Sequence, residues 1–197
     1  SLAVLREAQV RGHDARVCEL GDLSARDGRL FLRTTGLGGG APGELKPADQ
    51  FDLLFMRKDP PVDRAYLAAT HLLDMAGTVV WNDPSGLREA SEKLFAFRFP
   101  GVTPPSLATQ SRGDLLHFLK EMGGKIVVKP LDGYAGKVVF LVSADDPNRG
   151  AILETATEDW RRPVLAQKYL PEIAKGDKRI LLLEGEPLGA CVRLAQD

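Results

Sequence analysis

The sequence has few residues of the kinds that build disulfide frameworks and metal centres. Of its 197 residues only two are cysteines, Cys18 and Cys191, and they lie far apart in the chain. That spacing, with no secretory segment, argues against a disulfide framework or a zinc site and indicates a reducing cytoplasm. The three histidines, His13, His71 and His117, stand singly, which is typical of helix-surface or loop residues and not of metal ligands.

Long hydrophobic runs and an excess of charge of either sign are also missing. No apolar stretch reaches the roughly 18 residues of a transmembrane helix, and no signal peptide is recognised, although Ser1 is not a natural start. The formal net charge is -1, and no basic stripe is present. We therefore expect neither nucleic acid nor membrane among the partners. The 44% hydrophobic and 27% charged residues are ordinary for a globular protein with a sizeable core.

The first half of the sequence alternates between helical and strand patterns. Residues 1–13 carry apolar positions at helical spacing and end near Gly12, and "DARVCEL" then reads as a strand. The nearly continuous apolar run "FDLLFMR" (51–57) is typical of a parallel strand buried on both faces. Strands that alternate with helices in this way predict an α/β layer with parallel strands.

Two capping residues place the next helices. Asp63 can begin the helix "DRAYLAATHLLDMAG", which Gly77 would close, and Ser85 can begin "SGLREASEKLFAF". The short run "TVVW" between them reads as another buried strand. Lys93 falls on the second helix, whose apolar positions would face the core and so direct the lysine ammonium group outward.

After about residue 92 the pattern changes to strands that follow one another closely. They are "KIVVK", "KVVFLV", "VLAQKYL" and "DKRILLLEGEPLGACVRL", with a tight turn at 184–186 inside the last. Helices are predicted at 113–122 and 148–157. We predict an α+β half with antiparallel pairing and a boundary near 90–93, which gives domains 1–92 and 93–197.

One glycine-rich stretch, "TTGLGGGAPG" (34–43), superficially resembles a dinucleotide-binding fingerprint. That fingerprint needs a strand before it and a helix after it, because the helix N-terminus holds the pyrophosphate. Pro42 and the aperiodic "GELKPADQ" follow instead. The pattern favours a mobile surface loop.

A second glycine loop lies in "KIVVKPLDGYAGKVVFLV" (125–142). Lys129 ends an apolar run, and the segment 132–137 then crosses to the next run. Glycines allow a loop to present successive backbone N–H groups to an anion, although this loop lacks the G-K-[ST] ending of a Walker A sequence. The loop residues alone leave a plain hairpin and an anion-binding loop equally open.

Residues downstream favour a nucleotide. The strand "AQKYLPE" breaks off at Pro171, and a strand leaving its sheet can offer an adenine ring apolar walls with a backbone donor and acceptor. Asp177 and Arg179 lie two apart in a strand and so share a face. An acid and a guanidinium there can bind a ribose hydroxyl and a phosphate respectively.

Four segments in this order resemble the ATP-grasp ligases: "NDPSGLREASEKLF", "VVKPLDGYAGK", "AQKYLP" and "GDKRILLLEGEP". A fifth, "LLFMRKDPPVD" (53–63), narrows the resemblance to the bacterial type of glutathione synthetase, and the match runs over essentially the whole chain. The resemblance implies a Rossmann-like N-terminal domain, an ATP-grasp portion, and Mg²⁺-dependent ligation of glycine to γ-glutamylcysteine by ATP through an acyl phosphate. Another ATP-grasp ligase, or a nucleotide-binding module without ligase activity, remains an alternative.

The resemblance also assigns roles residue by residue. Lys93 and Lys129 would contact the ATP phosphates, Asp177 the ribose, and Arg179 and Arg193 the transferred phosphoryl group and the acyl phosphate. The glycine-rich loop over the γ-phosphate comprises Asp132, Gly133, Tyr134, Ala135 and Gly136. The adenine hinge comprises Gln167, Lys168, Tyr169 and Leu170. Arg57, Lys58 and Asp59, at the carboxyl end of a predicted parallel strand, would position the dipeptide.

The resemblance further implies that the chain is clipped at both ends. The family has a strand before the first helix, and its Mg²⁺ ligands lie beyond the point that corresponds to Asp197, so no metal ligand is expected in this chain. Without those carboxylates, charge stabilisation in the transition state is incomplete. We therefore expect these 197 residues alone to bind ATP weakly and to make no glutathione. A homo-oligomer is also expected.

The loop 133–136 is predicted to act as a lid, because two glycines and a single bulky side chain, Tyr134, allow local opening at low cost. Backbone hydrogen exchange in this segment should slow when an ATP analogue and Mg²⁺ are added. Mass-spectrometric exchange with and without nucleotide measures this. Equal exchange rates would count against a lid.

Overall fold

The computed structural model describes residues 2–41, 43–58, 61–91, 93–131 and 138–194. The chain divides into two compact units. The first comprises residues up to Pro100 together with Leu131, and the second comprises Gly101–Pro130 and the chain from Val138 onward. Asp59 and the loop residues Asp132, Gly133, Tyr134, Ala135 and Gly136, to which sequence analysis gave binding roles, lie outside the described residues.

In its described part, the first unit contains three helices and five strands. They are α1 (Leu2–Val10), β1 (Leu23–Arg26), β2 (Arg29–Leu32), β3 (Lys46–Pro47), β4 (Leu53–Phe55), α2 (Arg64–Leu73), β5 (Val79–Trp81) and α3 (Pro84–Glu89). The predicted first helix is confirmed as α1, and Gly12 after it has the left-handed φ of +83° that suits a helix C-terminus.

Strands β4 and β5 pair in parallel, as the sequence predicted, with Leu54 opposite Val80. The expectations that the first of these strands is buried on both faces and that the second is also buried are wrong. Side chains alternate along a strand, so only Leu54 and Val80 reach the apolar cluster of this unit. Phe55 and Trp81 lie on the other face, 38% and 55% exposed, with their rings stacked 5.1 Å apart.

An antiparallel sheet of order β1-β2-β3 was not predicted. Its first turn has Asp27 and Gly28 at φ +52° and +77°, as a two-residue hairpin turn requires. The Asp27–Gly28 pair is therefore the sequence signal from which this hairpin could have been predicted. The strand predicted in "DARVCEL" is wrong: the segment makes one isolated bridge, from Val17 to Thr35, before a 3-10 turn at Leu20–Asp22 redirects the chain.

The helix caps decide where α2 and α3 begin. Asp63 accepts a hydrogen bond from the Tyr66 N–H at 2.9 Å, which confirms the predicted start of α2. In α3 the cap is Asp83, and not Ser85 as predicted, because Asp83 accepts from the Gly86 N–H at 2.7 Å while Pro84 fits the first helical position. The helix ends at Glu89, so the prediction that Lys93 lies on it is wrong.

In its described part, the second unit contains two helices and six strands. They are β6 (Ser106–Thr109), α4 (Arg112–Glu121), β7 (Lys125–Pro130), β8 (Phe140–Ser143), α5 (Arg149–Ala156), β9 (Val164–Lys168), β10 (Asp177–Leu183) and β11 (Glu186–Arg193). Both predicted helices of this half are confirmed as α4 and α5. The strand expected from residue 137 begins only at Phe140, since Val138 adopts a left-handed φ of +60°. Strand β6 was not predicted.

Every strand pairing of the second unit is antiparallel among the residues described, as predicted. One sheet has the order β6-β9-β7-β8, and a separate hairpin pairs β10 with β11 around a two-residue turn at Glu184 and Gly185. The predicted fold class, an α/β first half followed by an α+β half, is confirmed. None of the helices in the described ranges has the length and apolar character needed to span a bilayer.

The core of the second unit lies between α4, α5 and one face of the four-stranded sheet. Its buried residues are Leu115, Phe118, Leu119, Ile126, Val128, Val142, Leu153, Ala156, Val164 and Ala166. Alternation along β7 turns Ile126 and Val128 toward this core and Lys129 toward the opposite face. The sheet therefore separates an apolar, helix-covered face from a face with polar side chains.

We predict that Leu115→Ala lowers the free energy of unfolding by about 2–5 kcal/mol, because it leaves a cavity in this core. Leu141→Ala is the matched control, since Leu141 is 50% exposed on β8, and should cost about 1 kcal/mol or less. Urea denaturation of both variants measures the difference. Equal losses would contradict the assigned core.

Candidate functional site

A chain of hydrogen bonds crosses the polar face of the four-stranded sheet. The Lys129 Nζ donates to the Gln167 Oε1 at 2.8 Å, and the Gln167 Nε2 donates to the Ser106 Oγ at 2.9 Å. The Ser106 hydroxyl in turn donates to the Pro104 carbonyl at 2.7 Å. All four residues are contributed by the second unit, from three neighbouring strands or the residues just before them, and the bonds are partly buried.

Strand register brings these side chains together. Gln167 lies directly opposite Ser106 on β6 and opposite Val127 on β7. Lys129 is two residues beyond Val127 and therefore on the same face. The central strand β9 thus places an amide between a hydroxyl on one side and an ammonium on the other.

The hinge segment 167–170 begins inside the sheet and ends outside it. The Lys168 N–H donates to the Pro105 carbonyl at 2.9 Å, and the Tyr169 N–H to the Lys125 carbonyl at 3.4 Å. The sheet pairing of β9 stops at Lys168, earlier than the predicted break at Pro171, where a 3-10 helix begins. Leu170 is 46% exposed beside this end of the strand.

The hairpin β10–β11 brings three predicted residues onto one face. Asp177 and Arg193 are cross-strand partners, and the Arg193 Nε donates to the Asp177 carboxylate at 3.0 Å. Arg179 lies two residues along β10, on the same face, as predicted. Hydrogen bonding from Arg193, more than the charge of Arg179, holds the pKa of Asp177 below its usual range. The carboxylate likewise raises the pKa of Arg193.

Gly176 makes this pairing possible at the open end of the hairpin. Its φ is +94°, and a Cβ at this position would lie 2.5 Å from the Arg193 carbonyl oxygen. No carbon atom can approach an oxygen so closely without moving the backbone, so only glycine fits. The close approach sets Asp177 directly across from Arg193.

In the first unit, Lys93 lies in a turn ahead of a 3-10 helix (Phe95–Arg98), and its Nζ donates to the Leu131 carbonyl at 3.2 Å. Arg57 and Lys58 follow the carboxyl end of β4 and are exposed. The Arg57 guanidinium lies 5.6 Å from the centre of the Phe55 ring. That contact is a cation–π interaction on the open face of the β4–β5 sheet.

Comparison with known proteins gives this arrangement its context. The model of the prokaryotic glutathione synthetase N-terminal domain matches residues 1–88, and that of the prokaryotic glutathione synthetase ATP-grasp domain matches residues 92–197. The chain belongs to the prokaryotic glutathione synthetase family.

Individual relatives agree with this membership. The glutathione synthetase of Yersinia pestis is 42% identical over 98% of the chain, and that of Parasynechococcus marenigrum is 45% identical over 97%. The chain spans 64% of the length of each of these two relatives.

Solved structures share the fold at lower identity. D-cycloserine synthetase DcsG superposes with a TM-score of 0.61 at 19% identity, covering 75% of this chain and 54% of that chain. A RimK domain protein ATP-grasp from Sphaerobacter thermophilus gives a TM-score of 0.60 at 19% identity, covering 90% and 62%. These similarities show the ATP-grasp fold alone.

For a member of the glutathione synthetase family, the predicted site residues fall into three groups. Lys129 and Gln167 meet on the sheet face, Asp177 and Arg193 meet on the hairpin, and Lys93, Arg57 and Lys58 belong to the first unit. Their roles toward ATP and the dipeptide stay predictions. Sequence reasoning missed Ser106 and Pro104, because β6 went unpredicted and no motif marks a lone serine after two prolines.

The family implies Mg²⁺, and no cluster of carboxylates marks a site for it among the described residues. No group of three or more histidine, cysteine, aspartate or glutamate side chains lies together among them. Asp177 is engaged by Arg193. Burial, aided by Asp22 and Glu19, raises the pKa of the Cys18 thiol to about 11, and a thiol is in any case a poor ligand for Mg²⁺, which prefers oxygen.

We predict that Arg193→Gln raises the pKa of Asp177 toward its usual value, and that Arg179→Gln, the matched control, raises it less. Because the folded-state pKa is lowered, the ion pair contributes stability above the usual carboxyl pKa. That contribution is lost as the pH falls through the lowered value. A ¹³C NMR titration of the carboxyl groups measures both shifts. An unchanged Asp177 pKa in Arg193→Gln would contradict the pairing.

Proposed function

We propose that the protein to which this chain belongs is an ATP-dependent ligase that joins glycine to γ-glutamylcysteine and releases glutathione, ADP and phosphate. The observation that carries the proposal is the match of two successive stretches to both domains of the prokaryotic glutathione synthetases. Identity of 42% to a named glutathione synthetase over nearly the whole chain supports the same substrates.

The chemistry explains why ATP is needed. A carboxylate is a poor electrophile, because its leaving group would be oxide. Transfer of the γ-phosphoryl group to the cysteinyl carboxylate makes an acyl phosphate. The glycine amine then attacks the carbonyl carbon, the new C–N bond forms as the C–O bond breaks, and the nitrogen loses a proton as phosphate leaves. The protein's task is to position the reactants and stabilise the developing charge.

The geometry supports separate tasks for the sheet and the hairpin. On the sheet, Lys129 would contact the ATP phosphates while the hinge Gln167–Leu170 holds the adenine. On the hairpin, Asp177 would take the ribose. Arg193 uses its Nε and Nη2 edge on Asp177, and we assign its remaining edge, together with Arg179, to the transferred phosphoryl group.

Three further assignments stay part of the proposal. Lys93 would be a second cation at the phosphates, and Arg57 and Lys58 would position the dipeptide. Mg²⁺, where bound, would neutralise phosphate charge. The assignment of Mg²⁺ rests on the family alone, and no step of the reaction is derived through the metal. The cytoplasmic location and the homo-oligomer also stay predictions.

Phosphate release by the purified whole protein to which this chain belongs tests the reaction. Release should require γ-glutamylcysteine and glycine together, and mass spectrometry should find glutathione. The ATP-grasp ligase PsnB, whose structure with its precursor peptide PsnA2 and AMPPNP resembles this fold at a TM-score of 0.58, represents the rival class of acceptor. Release with other acceptors but not with these two would favour such a ligase. ATP binding without turnover would favour a nucleotide-binding module.

We predict that Lys129→Met weakens ATP binding by about 1.5–3 kcal/mol, the range for hydrogen bonds to a charged group, because it keeps the aliphatic stem and removes the ammonium. Lys120→Met is the matched control, since Lys120 is an exposed lysine of α4 in the same unit. Isothermal titration calorimetry with ATP measures both variants. ATP affinity unchanged in Lys129→Met would remove Lys129 from the site.

A further inference from the structure

The hydroxyl of Ser106 has a fixed place in the hydrogen-bond chain across the sheet. It lies 2.9 Å from the Gln167 Nε2 and 2.7 Å from the Pro104 carbonyl oxygen. The sequence did not predict its strand β6, and the motifs described above assign no role to Ser106. The question is what this hydroxyl contributes to the lysine at the other end of the chain.

The chemistry of the two ends decides the direction of every bond between them. The Lys129 ammonium has only donors, so the Gln167 amide must turn its oxygen toward it. The amide nitrogen then points to Ser106 and donates, which leaves the single Ser106 proton for another acceptor. The Pro104 carbonyl has only acceptors and takes that proton. The Lys129 ammonium at one end and the Pro104 carbonyl at the other therefore favour the same orientation of the Gln167 amide. No hydrogen bond in the chain can exchange its donor and acceptor without the others changing too.

Without the Ser106 hydroxyl, only the Lys129 end still fixes the orientation of the Gln167 amide. The Gln167 Nε2 would face a partly buried space with no acceptor from residue 106, and the energy difference between the two amide orientations would shrink. A flipped amide would present N–H donors to the lysine ammonium and repel it. The chain thus offers the ammonium a neutral acceptor, the Gln167 oxygen, which helps to orient it.

We propose that Ser106 is a positioning residue for Lys129 and acts through Gln167 to hold the ammonium where it meets the nucleotide phosphates. The inference rests on the proposed function, since it takes Lys129 to be a phosphate contact. It adds a residue that touches no substrate. A merely structural role for Ser106, such as securing the bend after Pro104 and Pro105, would affect folding without distinguishing phosphate from adenine.

Isosteric side chains at residue 106 separate these roles. Ser106→Thr keeps the hydroxyl, whereas Ser106→Val replaces it by a methyl group of similar volume, and both residues suit a strand. Calorimetry with ATP and with adenosine compares ligands that differ in phosphate. We expect Ser106→Val to weaken ATP binding about fivefold to tenfold, the usual effect of one lost hydrogen bond. Adenosine binding should not change, and Ser106→Thr should bind both ligands like the unaltered protein.

A double variant tests the route of the effect. In Lys129→Met the cation is gone, so adding Ser106→Val should cost no further ATP affinity. Melting temperatures of all variants check the fold, and Ser106→Ala replaces the valine variant if that one does not fold.

The possible outcomes separate the inference from the proposed function. Equal ATP affinity in Ser106→Val and Ser106→Thr, with a loss in Lys129→Met, overturns the role of Ser106 and leaves the proposed function standing. Equal losses for ATP and adenosine, or a full additional loss in the double variant, also overturn it. An unaltered protein that binds no ATP overturns both.

Discussion

The position of β9 between β6 and β7 is the constraint on which the second unit depends. Both pairings are antiparallel, and each residue of β9 from Val164 to Gln167 has a register partner on both neighbouring strands. Because side chains alternate, one register places Val164 and Ala166 in the core and Gln167 on the opposite face. A slip of one residue would bury the amide and expose the core residues. Core packing therefore also determines which polar groups meet on the ligand-facing side proposed above.

The features that the sequence predicted well are those with local signals. Helices α1, α4 and α5 follow apolar periodicity, Asp63 caps α2, and Glu184–Gly185 turns the final hairpin. The strongest such local signal, Asp27–Gly28, was present and was overlooked. The motif resemblance predicted the family, because motifs record chemistry that a short stretch carries by itself. Four residues that it assigned to the ATP site contact one another in pairs, Lys129 with Gln167 and Asp177 with Arg193, while their roles toward ATP stay predictions.

The features that escaped prediction depend on distant residues. Ser106 and Gln167 are 61 residues apart, and only the register of β6 against β9 places them in contact. The exposure of Phe55 and Trp81 depends on which face of a two-stranded sheet the core covers. Tertiary context decided each of these.

The two polar connections of the second unit differ in what sustains them. The Lys129–Gln167–Ser106 chain combines one charged group with neutral partners and lies partly buried. The Arg193–Asp177 pair is exposed and fully ionic, so water and salt screen it, and its contribution to the free energy of unfolding is small. The pair instead orients the two side chains, because it keeps a guanidinium and a carboxylate at the same end of one hairpin.

Gly176 limits how this hairpin can diverge in evolution. Leu181 and Leu188 of the same hairpin are each more than half exposed in this structure. Position 176 has no room for a side chain, because any other amino acid places a carbon 2.5 Å from the backbone of the opposite strand. Gly176 could be replaced during evolution only together with other changes that move both strands. Such a change would also separate Asp177 from Arg193.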